Sequence, residues 1–375
     1  MPDLTNQHDP TDSEFEAQHT EMLRTVSTSR IMIPILIGVA VVGFLFWRQF
    51  DPEALGRVSW NARSIFWVGM AIVLLVFRHL SYAFRLYTIA DGELRYLKCV
   101  ELIFIWEFSS AVTPTSVGGS AVALFAMAQE NLSAARTAAI VIYTVVLDTF
   151  FFVLTLPVLF LFFGFGMIQP GAQQLSDLRV WGDYFLITYT VMLVYGSVFY
   201  YGLFRDPRRI KQFLMWMTRL PLLRRYAKGA EKTGNEFIEA SKEISQQGRS
   251  YHLRAIAGTV GAWSCKFMLM GCLVIAFTQV NPLQLSDQLL VYARFEAMFI
   301  IVLLAPTPGG AGFAELAFGQ FLSDFIPRSV SLIIAVVWRL LAYYSYLLAG
   351  AVILPNWIRG VVNRRRITKA AAHTE

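Results

Sequence analysis

The 375-residue chain is 56% hydrophobic and only 15% charged, with a mean hydropathy of +0.51 and a formal net charge of +6. A soluble domain carries about 25% charged residues, so this composition excludes a water-soluble globular protein. The basic residues are spread along segments beside apolar runs, which suits a membrane surface and makes nucleic-acid binding the poorer explanation for them.

Residues 1–30 are polar and lack the basic start, apolar run and small-residue cleavage site of a secretory signal, so they read as a disordered cytoplasmic tail. Uninterrupted apolar blocks follow, among them 31–50, 65–77, 138–165 and 332–354, several close to the roughly 20 residues that cross a hydrocarbon core. Short cytoplasmic loops retain Lys and Arg, and this orients the chain. A first span leaves the cytoplasm over 31–50, and a second returns over 64–87 towards Arg85, Arg95 and Lys98. A third goes out over 136–165 and a fourth returns over 181–204, followed by a cytoplasmic loop, 205–254, that holds twelve Lys and Arg. A fifth span, 255–280, goes out, and a sixth, 329–354, returns to a basic cytoplasmic tail, 356–375. The transmembrane domain is thus 31–355 of a multi-pass protein of the cell membrane with both termini cytoplasmic.

This topology closes only if 99–131 and 289–325 each enter and leave on one side of the membrane. Each is an apolar arm of about 15 residues, short for a crossing at about 1.5 Å per residue, then a Pro/Gly break and a second short arm. The breaks are 113–119, with Pro114, Thr115, Gly118 and Gly119, and 306–312, with Thr307, Pro308, Gly309 and Gly310. Proline stops a helix and glycine lets the backbone turn, so both stretches read as re-entrant helical hairpins. Non-helical backbone at that depth must be enclosed by protein or line a wet cavity.

The neighbours of the two hairpins correspond. Arg78 precedes Glu107 by 29 positions and Lys266 precedes Glu296 by 30, while Asp148 follows Gly119 and Arg339 follows Gly310 by 29 each. The expected fold is therefore an all-α integral membrane protein. It has about six transmembrane helices plus two oppositely oriented re-entrant hairpins, forming an inverted repeat of 64–165 and 255–354, an arrangement found in secondary transporters.

Arg78, Asp148, Lys266 and Arg339 fall roughly 15–20 Å from an interface when counted along their segments, and Glu107 and Glu296 lie in hairpin arms at similar depth. An ionised side chain there costs at least about 2.5–3.5 kcal/mol. Such charges either serve function or pair structurally, Asp148 with Arg339, and Glu107 or Glu296 with Arg78 or Lys266. As a set they favour function: Arg78, Lys266 and Arg339, with helix N-termini beginning at Ser120 and Phe313, suit an anionic group such as a lipid phosphate. The acids are then counter-charges of the empty site or groups that exchange protons. His79 and Arg294 are weaker candidates, the first as packing, the second as a local partner of Glu296. Residues 210–220 carry Ile210, Phe213, Leu214 and Met217 at helical spacing among basic residues, which fits a helix on an anionic leaflet or one docked on the domain.

Cys99, Cys265 and Cys272 have no spacing that zinc or a disulfide framework requires, and no Walker, dinucleotide, HExxH or G-x-S-x-G motif appears. No metal or cofactor is implied, and an ATP-driven pump is disfavoured. The run from Pro306 to Glu315, PTPGGAGFAE, with Arg339 in VVWRLLAYY, resembles the Pro-Gly-Gly-x-Gly-x-x-Glu motif and downstream Arg of the lysylphosphatidylglycerol synthase transmembrane (flippase-like) family. SSAVTPTSVGG resembles that family's other signature. The resemblance implies a membrane domain that moves a lipid, or a lipid-linked headgroup, between leaflets, and adds Glu315 and Arg339 to the candidate positions. Only about twenty residues follow Leu354, too few for the aminoacyltransferase domain of the full synthase, so lysyl-lipid synthesis is not expected. The expectation is translocation of an anionic phospholipid or polyprenyl-phosphate-linked lipid. The alternatives are a membrane-embedded transferase with Glu107, Glu296 or Glu315 as base, and an accessory subunit of such an enzyme.

Overall fold

The computed structural model describes residues 60–112, 116–130, 132–217, 219, 227–278, 280–282, 284–303 and 313–372, and every regular element among them is helical. The helices are α1 (Ala62–Ile89), α2 (Tyr96–Val112), α3 (Ser116–Ala128), α4 (Ala134–Phe163), α5 (Arg179–Tyr200), α6 (Pro207–Met217), α7 (Ala227–Gln246), α8 (Arg249–Phe277), α9 (Leu285–Leu303), α10 (Phe313–Phe321), α11 (Arg328–Arg339) and α12 (Ser345–Ala372). A π-helical turn, Leu340–Tyr344, joins α11 to α12. The predicted tail 1–30, the first span 31–50 and the break residues Pro114, Thr115, Thr307, Pro308, Gly309 and Gly310 lie outside the described residues.

Five helical stretches are long and apolar enough to cross a membrane: Ala62–Ile89, Ala134–Met167, Val180–Arg205, Arg249–Phe277 and Ile333–Val361. They coincide with the second to sixth predicted spans. Their outward faces are those of a membrane protein: on α1 Ile65, Phe66, Ile72, Val73, Val76 and Phe77 are exposed, whereas Ala71, Arg78, Tyr82, Arg85 and Ile89 turn inward. A soluble monomer rarely exposes so continuous an apolar surface; against lipid tails it carries no penalty. Local signals set the ends. Asn61 caps α1 by accepting the Ser64 amide at 2.9 Å, Ser133 caps α4 through the Arg136 amide at 3.0 Å, and Gly164, with φ of +55°, ends α4. Before α5, Asp177 accepts the amides of Gln173 and Gln174, both at 3.0 Å, which hold its carboxyl below the usual carboxylate range.

Helices α1 and α8 pack more extensively than any other pair among the described residues and run antiparallel along their whole length. At one end Ser64 Oγ donates to the Ala276 carbonyl and Arg63 to those of Ile275 and Val280. At the other, the Tyr251 hydroxyl donates to the Ile89 carbonyl at 3.0 Å. Small residues permit the close approach: a Cβ on Gly258 would meet Arg85 Cβ at 3.0 Å and the Ser81 carbonyl at 3.1 Å, and one on Gly261 would meet Ser81 Oγ at 3.0 Å.

The short helices pack in pairs, α2 with α3 and α9 with α10. Two expectations need correction. The helix after the first break begins at Ser116 and not at Ser120, so Gly118 and Gly119 lie inside its first turns. The reason at Gly119 is space: a Cβ there would lie 2.8 Å from the Ser110 backbone, so this glycine sets how closely α3 approaches α2. The first arm of the second pair, predicted to start near Leu289, is a 19-residue helix of about 28 Å. It extends back to Leu285 because Asp287 in its first turn favours a helix N-terminus.

Candidate functional site

The facing sides of α1 and α8 each present three polar side chains at helical spacing: Arg78, Tyr82 and Arg85 on α1, and Thr259, Trp263 and Lys266 on α8. Because α1 and α8 are antiparallel and closely packed, these two rows come together, and α2 and α4 each bring one acid to them.

Arg78 is buried, and its Nη2 donates to both oxygens of Glu107 on α2 at 2.9 Å. Its guanidinium lies 5.1 Å from the ring centres of Tyr82 and Tyr346, so aromatic faces flank the charge. Its Nε has no hydrogen-bond partner. Asp148 on α4 accepts from Arg85 and from the Trp263 indole, the latter at 2.7 Å. Arg85 also lies over Tyr82 at 4.8 Å and donates to the Thr259 hydroxyl at 3.4 Å. Glu107 and Asp148 each keep 26% of their side-chain surface exposed, so the acid ends of both pairs meet open space.

Lys266 completes the group and has no such partner. Its ammonium sits 3.6 Å from the centre of the Phe299 ring on α9 and 4.5 Å from that of Trp263, and no carboxylate among the described residues lies within ion-pair distance. It lies within the electrostatic reach of Arg78, Glu107 and Asp148. Three basic side chains thus share a site with two carboxylates, and Lys266 is the one without a carboxylate partner there. An ammonium held over rings in a low-dielectric setting, beside a guanidinium with a spare donor, is suited to accept an anionic oxygen.

The other candidates lie elsewhere. Glu296 on α9 is fully buried against Thr155 of α4, not beside Lys266 or Arg78. Arg339 ends α11, buried with its guanidinium 5.3 Å from the rings of Trp338 and Tyr343. The Trp338 ring stacks on Phe318 of α10 and meets Phe295 of α9 edge-on, while the Tyr343 hydroxyl donates to the Ala111 carbonyl of α2 at 3.0 Å, so the rings beside Arg339 reach both short-helix pairs. The pairing of Asp148 with Arg339 does not form, because Arg85 and Trp263 hold Asp148. Glu315 belongs to α10, and its side chain is outside the described residues. His79 packs as expected, its ring 3.9 Å from that of Phe104. Arg294 is not a partner of Glu296: it donates to the carbonyls of Gly166 and Phe321 and to Asp324.

Arg85, which the sequence marks only as positive charge at the cytoplasmic end of the second span, joins the site. It lies seven residues after Arg78, on the same helix face, and that spacing is the signal that marks it. Trp263 was likewise unmarked, although it precedes Lys266 by three positions and so shares its face.

Comparison with known proteins agrees with this architecture. The family model for the lysylphosphatidylglycerol synthase TM region matches residues 31–350. A UPF0104 membrane protein from Archaeoglobus fulgidus is 24% identical over 334 residues, which cover 86% of this chain and 95% of the relative. No solved structure matches the chain significantly. With nearly all of its apolar region matched by the family model, the chain belongs to the lysylphosphatidylglycerol synthase transmembrane family.

Proposed function

We propose that this membrane protein translocates an anionic lipid, a phospholipid or a polyprenyl-phosphate-linked lipid, by binding its headgroup at the cluster of Arg78 and Lys266, where α1 and α8 meet α2, α4 and α9. The observation that carries the reading is the Lys266 ammonium, which lies over Phe299 without a carboxylate partner and beside Arg78, whose Nε is unused. A headgroup phosphate supplies the missing negative charge. Glu107 and Asp148 then act as counter-charges that hold Arg78 and Arg85 in the empty site. Aromatic side chains of Tyr82, Trp263 and Tyr346 line the same region and suit the apolar parts of a lipid.

In this reading α2 with α3, and α9 with α10, are re-entrant hairpins that enter from opposite faces, and residues 64–165 and 255–354 are inverted repeats. The antiparallel packing of α1 on α8 supports it, because Arg78 and Lys266 are the corresponding positions of the two repeats. The transmembrane domain, 31–355, lies in the cell membrane with the basic loop 205–254 and the tail 356–375 in the cytoplasm.

The test is reconstitution. Purified protein in proteoliposomes is given fluorescent phosphatidylglycerol or polyprenyl-phosphate probes, and their exposure is followed by an impermeant quencher. One charge-assisted contact contributes about 1.5–3 kcal/mol, so Lys266→Met should slow movement about tenfold or more and reduce lipid that co-purifies with the protein. The reading fails if wild-type protein moves neither probe and Arg78→Ala and Lys266→Met leave the bound lipid unchanged.

A further inference from the structure

Glu296 differs from the other two acids at this depth. Arg78 compensates Glu107 and Arg85 compensates Asp148, whereas Glu296 has no cationic partner among the described residues and is 0% exposed. Its Oε1 meets the Thr155 hydroxyl, and its Oε2 is buried with no hydrogen-bond partner. A carboxylate enclosed without a counter-charge carries a large desolvation cost, which the neutral acid avoids.

Counting hydrogens around Thr155 leads to the same state. Thr155 Oγ1 lies 2.7 Å from the Phe151 carbonyl, one turn back on α4, and is also within hydrogen-bonding distance of Glu296 Oε1. A hydroxyl has a single hydrogen, so it cannot donate to a carbonyl and a carboxylate together. With a proton on Oε1 the conflict disappears: the acid donates to Thr155, and Thr155 donates to Phe151.

The surroundings leave Glu296 as the exchanging group. Its own helix carries Tyr292, within electrostatic reach, and Arg294, which is engaged by Asp324 and two carbonyls. From α8 come Cys265 and Lys266, the latter turned onto Phe299. On α4 Asp148 lies two turns from Thr155 and is held by Arg85; on α5 the Tyr189 hydroxyl donates to the Val153 carbonyl at 3.5 Å. The ionisable residue of α10 is Glu315. A hard metal ion needs six or more oxygens, and among the described residues no three His, Cys, Asp or Glu side chains converge. A proton needs one oxygen.

We propose that Glu296 is a proton-exchange site that couples lipid movement to a proton gradient. Its carboxylate takes one proton at Oε1 from the aqueous phase on one side and releases it to the other when the cycle opens the site; no electron transfer is involved. The proposal rests on the translocase reading, and two experiments separate their failures.

In the first, the detergent-purified full chain is treated with dicyclohexylcarbodiimide, which modifies protonated carboxyls in apolar surroundings, and the modified peptides are identified by mass spectrometry. The expected result is modification of Glu296 several-fold above that of Glu107 and Asp148, falling as pH rises and lost in Glu296→Gln. Equal modification of the three acids, or none at Glu296, overturns the proposal. In the second, proteoliposomes carry an imposed pH gradient. Wild-type transport should respond to the gradient, and Glu296→Gln transport should not. Transport that ignores the gradient, responds to sodium in place of protons, or stays gradient-sensitive in Glu296→Gln overturns proton coupling while the translocase reading stands. Absence of any probe movement overturns the translocase reading, and coupling with it.

Discussion

A single nitrogen of Arg78, Nη2, reaches both carboxylate oxygens of Glu107 at 2.9 Å, which ties α1 to α2. Removing one member of a buried pair costs about 3–5 kcal/mol because the other is stranded. Glu107 is 26% exposed, so water compensates part of its charge and Arg78→Ala should cost less than Glu107→Ala, which strands the buried guanidinium. A double-mutant cycle in detergent, read by thermal unfolding, should give a coupling of about 1–3 kcal/mol. A coupling near zero would show that the two charges do not stabilise each other.

Gly258 faces Arg85 and the Ser81 carbonyl so closely that an added side chain must displace α1. Overpacking of this kind costs about 1–3 kcal/mol. Gly258→Val should therefore lower the melting temperature and, by moving Arg85, also reduce bound anionic lipid. Gly69, where a Cβ meets nothing within 4 Å, is the control: Gly69→Val should leave both unchanged.

Arg294 is 3% exposed and donates to two carbonyls as well as to Asp324, whose side chain is 42% exposed. The two members of this pair are therefore unequal. Asp324→Ala leaves the guanidinium with both carbonyls and should cost under about 1 kcal/mol, as for surface pairs. Arg294→Ala removes every bond at once and should cost about 3 kcal/mol or more. Thermal unfolding of the two variants tests the order; equal losses would contradict it.

Helix α6 turns Lys211 onto α7, where it bonds Asn235 at 2.8 Å, and leaves Phe213 and Trp216 stacked on each other and both 57% exposed beside Arg208 and Arg209. Aromatics among arginines on the free side suit an anionic leaflet. In nanodiscs with brominated phosphatidylglycerol, Trp216 should be quenched, so Trp216→Phe should remove a measurable share of the total quenching. Phe213→Ser should reduce it. If Trp216→Phe leaves the quenched fraction unchanged, the helix does not meet the leaflet.

Spans and charges were legible in the sequence to different degrees. Long apolar blocks record burial in lipid directly, and the pair of Arg78 with Glu107, one of several pairings the sequence left open, forms because α1, a short loop and α2 fold back on one another. The partner of Asp148 was not legible. Arg85 stands near the end of an apolar block, where positive charge ordinarily marks a cytoplasmic loop, and only the packing of α8 against α1 shows that it turns inward. The same limit applies to Glu296. Its spacing from Lys266 matches that of Glu107 from Arg78, yet Lys266 turns to Phe299 and Glu296 to Thr155. Sequence periodicity fixes the helix face of a side chain, but not which of several neighbouring helices that face meets.

Fastened at Arg63 and Ser64, at Gly258 and Gly261, and at Tyr251, α1 and α8 are joined at both ends and in the middle. Two rods pinned at three points act as a single beam. On the proposed function, a headgroup bound beside them does not pass by the beam splitting open. If the chain translocates lipid as proposed, movement falls to the elements packed on it, α2 on α1 and α9 on α8. In the proposed translocation Lys266 therefore belongs to the stationary part, and the lipid's path runs past a fixed side chain and not alongside a travelling one.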